Sequence, residues 1–333
     1  MKSFLIKLIS FVAIQAVILT PLVYIGSCHQ TKRQYLCSMC DKLDRLKTAS
    51  GPRIIFVGGS SLAFGLDSKM IAKETGYNPI NLGVHAGLGV RYQVRMIKQH
   101  LRSGDLVVLA PEYRVFHEHG TRCSEELAVE LYDLWPGCLP YIQPDLDVFL
   151  AVTKSPLHLL ADRIRYSREY FFSAPDTSPV GTYERGSFNE FGDHVNHYGV
   201  DPSTVDRKIG DLQWTMRLSD MREANDLFND FTKHCQASGA HVVFAHAPVS
   251  QSSLNRNPEL RIVFEAGLAS SLDCPIITNL DDLGFGEDML FDSAYHLSHA
   301  GVTKRTAVVC EGLKRYQSMA TATRPKITNV ELR

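Results

Sequence analysis

From Arg53 onward the chain alternates short apolar runs with amphipathic stretches. RIIFVGG (53–59) reads as a buried strand, DSKMIAKETG (67–76) as a helix stopped by Gly76, and NPINLGV (78–84) as a second strand. GVRYQVRMIKQHLRSG (89–104) has helical periodicity, and DLVVLAPEY (105–113) is a third apolar run. This βαβαβ opening implies a parallel sheet with helices on both faces. Further along, 212–239 reads as one long amphipathic helix, HVVFAHAPV (241–249) as a fourth strand and 257–272 as a helix. CPIITN (274–279) reads as a fifth strand and 299–317 as a final helix. The pattern breaks between about 116 and 205, a stretch rich in Pro, His and aromatic residues in which only SEELAVELYDLW (124–135) is clearly helical. It is too long for a simple loop and is expected to be an insertion facing the substrate.

The N-terminus has a different pattern. Lys2 and Lys7 precede an uncharged apolar run from Leu8 to Gly26, which reads as a membrane-targeting segment. It is either a retained anchor or a leader cut before Cys28, since Ile25, Gly26, Ser27 and Cys28 loosely match the box before a lipid-modified cysteine. The expected organisation is an anchor or signal segment (1–27), a polar juxtamembrane linker (28–52), an α/β domain (53–318) and a frayed tail (319–333). The domain is expected on the outer, extracytoplasmic side of the membrane.

Composition narrows the classes. The chain has 333 residues, 44% of them hydrophobic, and a net charge of −1, which argues against disorder and against a nucleic-acid partner. Of eight cysteines, Cys235, Cys274 and Cys310 fall in buried patterns, while Cys123 and Cys138 flank a loop-like region and are candidates to pair if the body is exported. Cys37 and Cys40 form a lone C-x-x-C, a weak redox or zinc signal beside the plainer reading of a juxtamembrane helix. His117 and His119 lack a third ligand, so no metal is expected. The glycines at 83, 87 and 89 lack the spacing of a nucleotide loop, so no cofactor is implied.

Ligands of an open parallel sheet bind beyond the carboxyl ends of its strands. The residues that fall there are Gly58-Gly59-Ser60-Ser61, the Gly83 to Gly89 stretch, Pro111-Glu112-Tyr113, His246, and the loop with Asp292 and His296. VGGSS, NLGVHAGLG and DSAYHLSHAG, taken together and in this order, resemble the first, second and last sequence blocks of the SGNH (GDSL-type) hydrolases. HLSHAG is similar to the corresponding run in the membrane-anchored branch that modifies cell-surface polymers.

That resemblance implies a three-layer αβα sandwich around a five-stranded, mainly parallel, flavodoxin-like sheet. It also implies a catalytic triad of Ser60 as nucleophile, His296 as base and Asp292 as orienting carboxylate. Two departures stand out: Asp292 precedes His296 by four positions where the family has three, and the Asn of the third block is replaced by the Pro111-Glu112-Tyr113 run. Gly59 occupies the usual Asp position.

A serine hydroxyl becomes nucleophilic when a neutral imidazole takes its proton, and the developing oxyanion needs fixed donors. The Ser60 N–H is the first expected donor, Gly83 or Gly87 the second, and Asn189 a substitute third. Glu112, an acceptor, is assigned to a sugar hydroxyl or to a structural hydrogen bond. The expected activity is esterase or O-acyltransferase chemistry on small acyl esters, such as acetyl, of exported or cell-surface carbohydrate, with a membrane acyl-donor protein as a candidate partner. The competing expectation is a non-catalytic carbohydrate-binding or assembly subunit.

Overall fold

All five side chains of Arg53–Val57 (β1) are buried, as expected of a strand covered on both faces. In the computed structural model, which describes residues 2–31, 33–142, 146–154, 156–172, 179–207, 209, 217–258 and 260–322, β1 is central in a parallel four-stranded sheet. Its neighbours are Asn78–Asn81 (β2) on one side and Leu106–Leu109 (β3) on the other, and His241–Phe244 (β4) follows β3. The expected fifth strand contributes a single parallel bridge, Ile276 to Phe244. The Phe244 N–H donates to the Pro275 carbonyl and the Ile277 N–H to the Phe244 carbonyl, but the His246 N–H goes to the Thr278 side chain instead of continuing a ladder. A separate two-stranded parallel pair joins Val249–Ser250 (β5) to Gly284–Phe285 (β6).

Period-two alternation sends β1 side chains to two cores. Ile55 and Val57 join an apolar cluster with Ser38–Thr48 (α2), Gly89–His100 (α5), Glu125–Leu134 (α6) and Arg222–Ala237 (α9). Ile54 and Phe56 join a second cluster with Ser68–Thr75 (α4) and His299–Ala322 (α12). At the strand's start Arg53 is fully buried, its Nε 2.8 Å from Asp105 Oδ1.

Local signals set the ends of these helices. Asp67 caps α4 by accepting the Met70 N–H, Gly76 ends it at φ 74°, and Ser124 caps α6 by accepting the Leu127 N–H.

Several expectations are corrected. The stretch at 38–48 is no polar linker but α2, whose Met39, Leu43 and Leu46 enter the core. The long helix begins at Arg222, because an Asp220 side chain accepting the Arg217 N–H closes a turn just before it; 210–216 lie outside the described residues. The helix expected over 257–272 is regular only over Glu265–Ser271 (α11), entered through a wider π turn at Leu260–Phe264; Gln251–Arg256 (α10) precedes it. The insertion holds two further helices, Leu146–Lys154 (α7) and Pro156–Phe172 (α8). The tail is helical to Ala322, and the rest of it lies outside the described residues.

The N-terminal helix Lys2–Thr31 (α1) carries an apolar stretch, Lys2–Pro21, that is long and apolar enough to cross a membrane and is unburied. The short helix Ser60–Ala63 (α3) follows β1 directly.

Candidate active site

The chain leaves β1 through Gly58 and Gly59, and Ser60 opens α3 at the sheet's carboxyl edge. Gly58 and Gly59 are required by crowding. A Cβ on Gly58 would lie 2.4 Å from the Ala110 carbonyl oxygen, and one on Gly59 would lie 2.5 Å from both carboxylate oxygens of Glu112. The space a side chain at 59 would need is therefore filled by Glu112. Ser60 is partly exposed and Ser61 fully buried, which separates the two hydroxyls as candidates.

Glu112, at 1% exposure, is too enclosed to meet a sugar. Its oxygens accept the N–H of Gly59 at 3.0 Å and of Ser61 at 2.8 Å, which is the structural alternative of the two expected for it. The fully buried Arg305 of α12 donates to the Ser61 and Gly65 carbonyls, so the turn is held by a carboxylate at its N–H groups and by a guanidinium at its carbonyls. Between the two N–H groups taken by Glu112, the Ser60 N–H has no acceptor among the described residues.

Asp292 and His296 come together despite their four-residue spacing. Leu290 and Leu297 form an antiparallel bridge, the Phe291 N–H donates to the His296 carbonyl at 2.8 Å, and Ser293 Oγ accepts the His296 N–H at 3.2 Å. This closed loop sets His296 Nδ1 2.7 Å from Asp292 Oδ1. With the Nδ1 proton directed at the carboxylate, the neutral ring keeps its lone pair on Nε2, the arrangement a general base needs. Burial pushes the Asp292 carboxyl up, but the hydrogen bonds and charge of His296 and the Tyr183 hydroxyl outweigh it and hold the group below its ordinary value.

Tyr183 and Phe64 escaped the sequence reading. The Tyr183 hydroxyl donates to Asp292 Oδ2, so the second carboxylate oxygen is also held. Phe64, one helical turn after Ser60 and with its N–H on the Ser60 carbonyl at 2.9 Å, stacks on His296 with ring centres 4.1 Å apart. It also stacks on His194 at 3.9 Å. Two near-parallel rings at such distances need opposite faces, so Phe64 is sandwiched and carries the imidazole on the helix that presents Ser60. Among the described residues no hydrogen bond joins Ser60 Oγ to His296; such bonds are often open in ligand-free sites.

The other expected donors are engaged elsewhere. The Gly83 N–H donates to Asn81 Oδ1 at 2.9 Å and the Gly87 N–H to His85 Nδ1 at 3.0 Å, so neither glycine offers the oxyanion contact expected of it. Since His85 Nδ1 accepts, the neutral ring of this exposed residue carries its proton on Nε2. Asn189 is not turned to Ser60: its carboxamide holds the buried Asp193 and the Phe191 N–H, beside a cleft shared with Asp41, Lys42 and Arg45. His246 is fully buried against Thr278, and the exposed His299 stacks on Tyr198 at the start of α12.

His194 and His197, also missed, lie behind Phe64 with their Nδ1 atoms 2.9 Å apart. Their Nε2 atoms face the carbonyls of Thr182 and Leu297, so three contacts call for a proton where two neutral rings supply two. A third proton would place a charge among aromatic rings, and burial holds the rings at about 4 and about 3. HVNH in the insertion was the signal available in sequence.

The cysteine expectations resolve simply. Cys123 and Cys138 are unpaired thiols. Burial pushes Cys37 up to about 12 and Cys40 to about 11, contrary to a reactive C-x-x-C. Among the described residues no cluster of His, Cys, Asp or Glu has the makings of a metal site. No protein-family model matches the chain, and no curated protein matches it either.

Proposed function

We propose that the protein is a serine-dependent esterase or O-acyltransferase acting on small acyl esters, acetyl above all, of exported or cell-surface carbohydrate. The observation that carries this reading is the Asp292–His296 pair at 2.7 Å, its Nε2 unengaged, stacked on the helix that presents Ser60. In the proposed cycle Ser60 Oγ attacks the ester carbonyl while His296 Nε2 takes its proton, and Asp292 stabilises the imidazolium. The tetrahedral oxyanion faces the Ser60 N–H, with His85 Nε2–H as the second donor in place of the engaged glycines. Collapse breaks the ester C–O bond, and the departing alcohol takes the proton from His296. Water or a sugar hydroxyl then gives its proton to His296 and attacks the acyl-serine, and the departing Ser60 oxygen takes that proton back, restoring the free serine and the neutral imidazole.

The finer architecture belongs to the same proposal. A five-stranded flavodoxin-like sandwich is part of this reading, supported by the order β2-β1-β3-β4 and the bridge of Ile276 to β4. Lys2–Pro21 is taken as a membrane anchor holding the domain outside the cytoplasm, where a membrane acyl-donor protein would supply the acyl group.

A second reading, a non-catalytic carbohydrate-binding or assembly subunit, draws on the unmade Ser60–His296 bond and on the engaged Gly83 and Gly87 N–H groups. A fluorophosphonate serine probe separates the two. Labelling of the wild type and of Ser61→Ala, lost in Ser60→Ala and His296→Ala, is the expected result. Folded wild-type protein that takes up no probe would leave the binding reading in possession.

A further inference from the structure

We propose that α7 and α8 of the insertion form a second membrane contact, set into the lipid bilayer beside α1, so that the site works at the membrane surface. The proposal rests on the reading of Lys2–Pro21 as an anchor.

Among the described residues beyond α1, most of the exposed large apolar side chains fall between Leu139 and Tyr183. They are patterned. On α7, Leu146, Phe149 and Leu150 are exposed at i, i+3 and i+4, and on α8, Ile164, Phe171 and Phe172 at i, i+7 and i+8. Phe172 is 84% exposed and Leu146 70%, values that a water-facing helix has no reason to carry in a stripe. Arg165 and Arg168 are exposed on α8 as well, cations suited to lipid headgroups beside an apolar stripe.

The bilayer is chosen as occupant because of what α8 touches. Its contact with α1 is the most extensive between any two described helices, and α1 is the apolar, unburied one. With Lys2–Pro21 across the hydrocarbon, the remaining helix to Thr31 stands clear by about 15 Å, whereas the 17 residues of α8 extend about 26 Å. Longer than the part of α1 that stands clear and packed against α1, α8 reaches the lipid surface.

The chain leaving α1 also ties the site to this level. Arg33 donates to the Glu184 carboxylate at 2.8 and 2.7 Å, and Gln34 forms an antiparallel bridge with Glu184. Tyr35 packs on Tyr183, whose hydroxyl holds Asp292. From the end of the anchor to the catalytic carboxylate the path therefore runs through a few side chains in contact. A substrate or acyl donor presented at the bilayer surface is the class that such placement suits.

The test uses the full chain in vesicles of phosphatidylcholine and phosphatidylglycerol, with photoreactive benzoylphenylalanine placed singly at Phe149, Phe172, Ile14 and Lys233. Lipid adducts at 149 and 172 comparable to those at 14, with none at the exposed Lys233 on α9, are expected. Adducts at 14 but not at 149 or 172 would overturn the second contact and leave the anchor standing. Absence of adducts at 14 would remove the anchor and the proposal with it, and protein adducts in place of lipid at 149 and 172 would assign the stripe to another chain.

Discussion

Glu112 brackets Ser60: one carboxylate accepts the backbone N–H before the serine and the one after it, at 3.0 and 2.8 Å, and leaves the N–H of Ser60 itself open. An acidic side chain reaching across from the end of β3 thus shapes the turn that Gly59 leaves bare.

Gly59→Asp should be far worse than its small size suggests. A Cβ there meets both Glu112 oxygens at 2.5 Å and the Ala86 Cα at 2.7 Å, and the new carboxylate would face a like charge in a buried space. Glu112→Gln, which turns an amide N–H2 towards a backbone donor, should cost about 1 to 3 kcal/mol for the orphaned N–H. Urea unfolding should rank the proteins wild type, Glu112→Gln, Gly59→Asp in falling stability. A Gly59→Asp protein as stable as wild type would show that Glu112 does not occupy that space.

Tyr183→Phe removes the donor to Asp292 Oδ2 and leaves the Asp292–His296 bond in place. Tyr183 is half exposed, so water replaces much of the lost bond, and the rate of probe labelling should fall about fivefold, the equivalent of about 1 kcal/mol. The Asp292 carboxyl, held below its ordinary value partly by Tyr183, should rise. A depressed carboxyl contributes stability above its unfolded value and loses it as pH falls, so the acid unfolding of the variant should begin at higher pH than that of wild type. Unchanged labelling and an unchanged acid limb would make Tyr183 a bystander.

The His194–His197 pair predicts a second pH effect, with the opposite kind of group. Burial holds the rings at about 4 and about 3, against about 6.5 in the unfolded chain. The unfolded state then binds more protons between those limits, so stability is fully present above about pH 6.5 and falls as the pH drops towards 4, by on the order of 3 kcal/mol for each ring. His296, Asp292 and Lys42 act on the same pair and do not reverse the sign. Unfolding free energies measured across that window should slope for wild type and flatten for a His194→Gln/His197→Gln double variant. Equal slopes in both would place the effect on other groups.

Local sequence was enough for the elements whose signals are local. The buried runs at β1, β2, β3 and β4, the Asp67 and Ser124 caps and the Gly76 stop each depend on a residue's own neighbours, through side-chain alternation, a short polar acceptor, or a backbone that needs φ above zero. The order of Ser60 early and Asp292 and His296 late was read from the likeness of VGGSS and DSAYHLSHAG to known sequence blocks, not from periodicity.

Contacts between residues far apart in the chain were settled by the tertiary structure. Glu112 meets the Ser60 turn across more than fifty positions, Tyr183 meets Asp292 across more than a hundred, and Phe64 separates two histidines from different segments. Periodicity carries no information about such pairs. It also could not tell that the Gly83 and Gly87 N–H groups are already engaged, because a donor's free capacity depends on which side chain packing brings to it. The placement of α8 against α1 is of this kind as well, since only the neighbour that packing supplies decides which side of an apolar helix is covered.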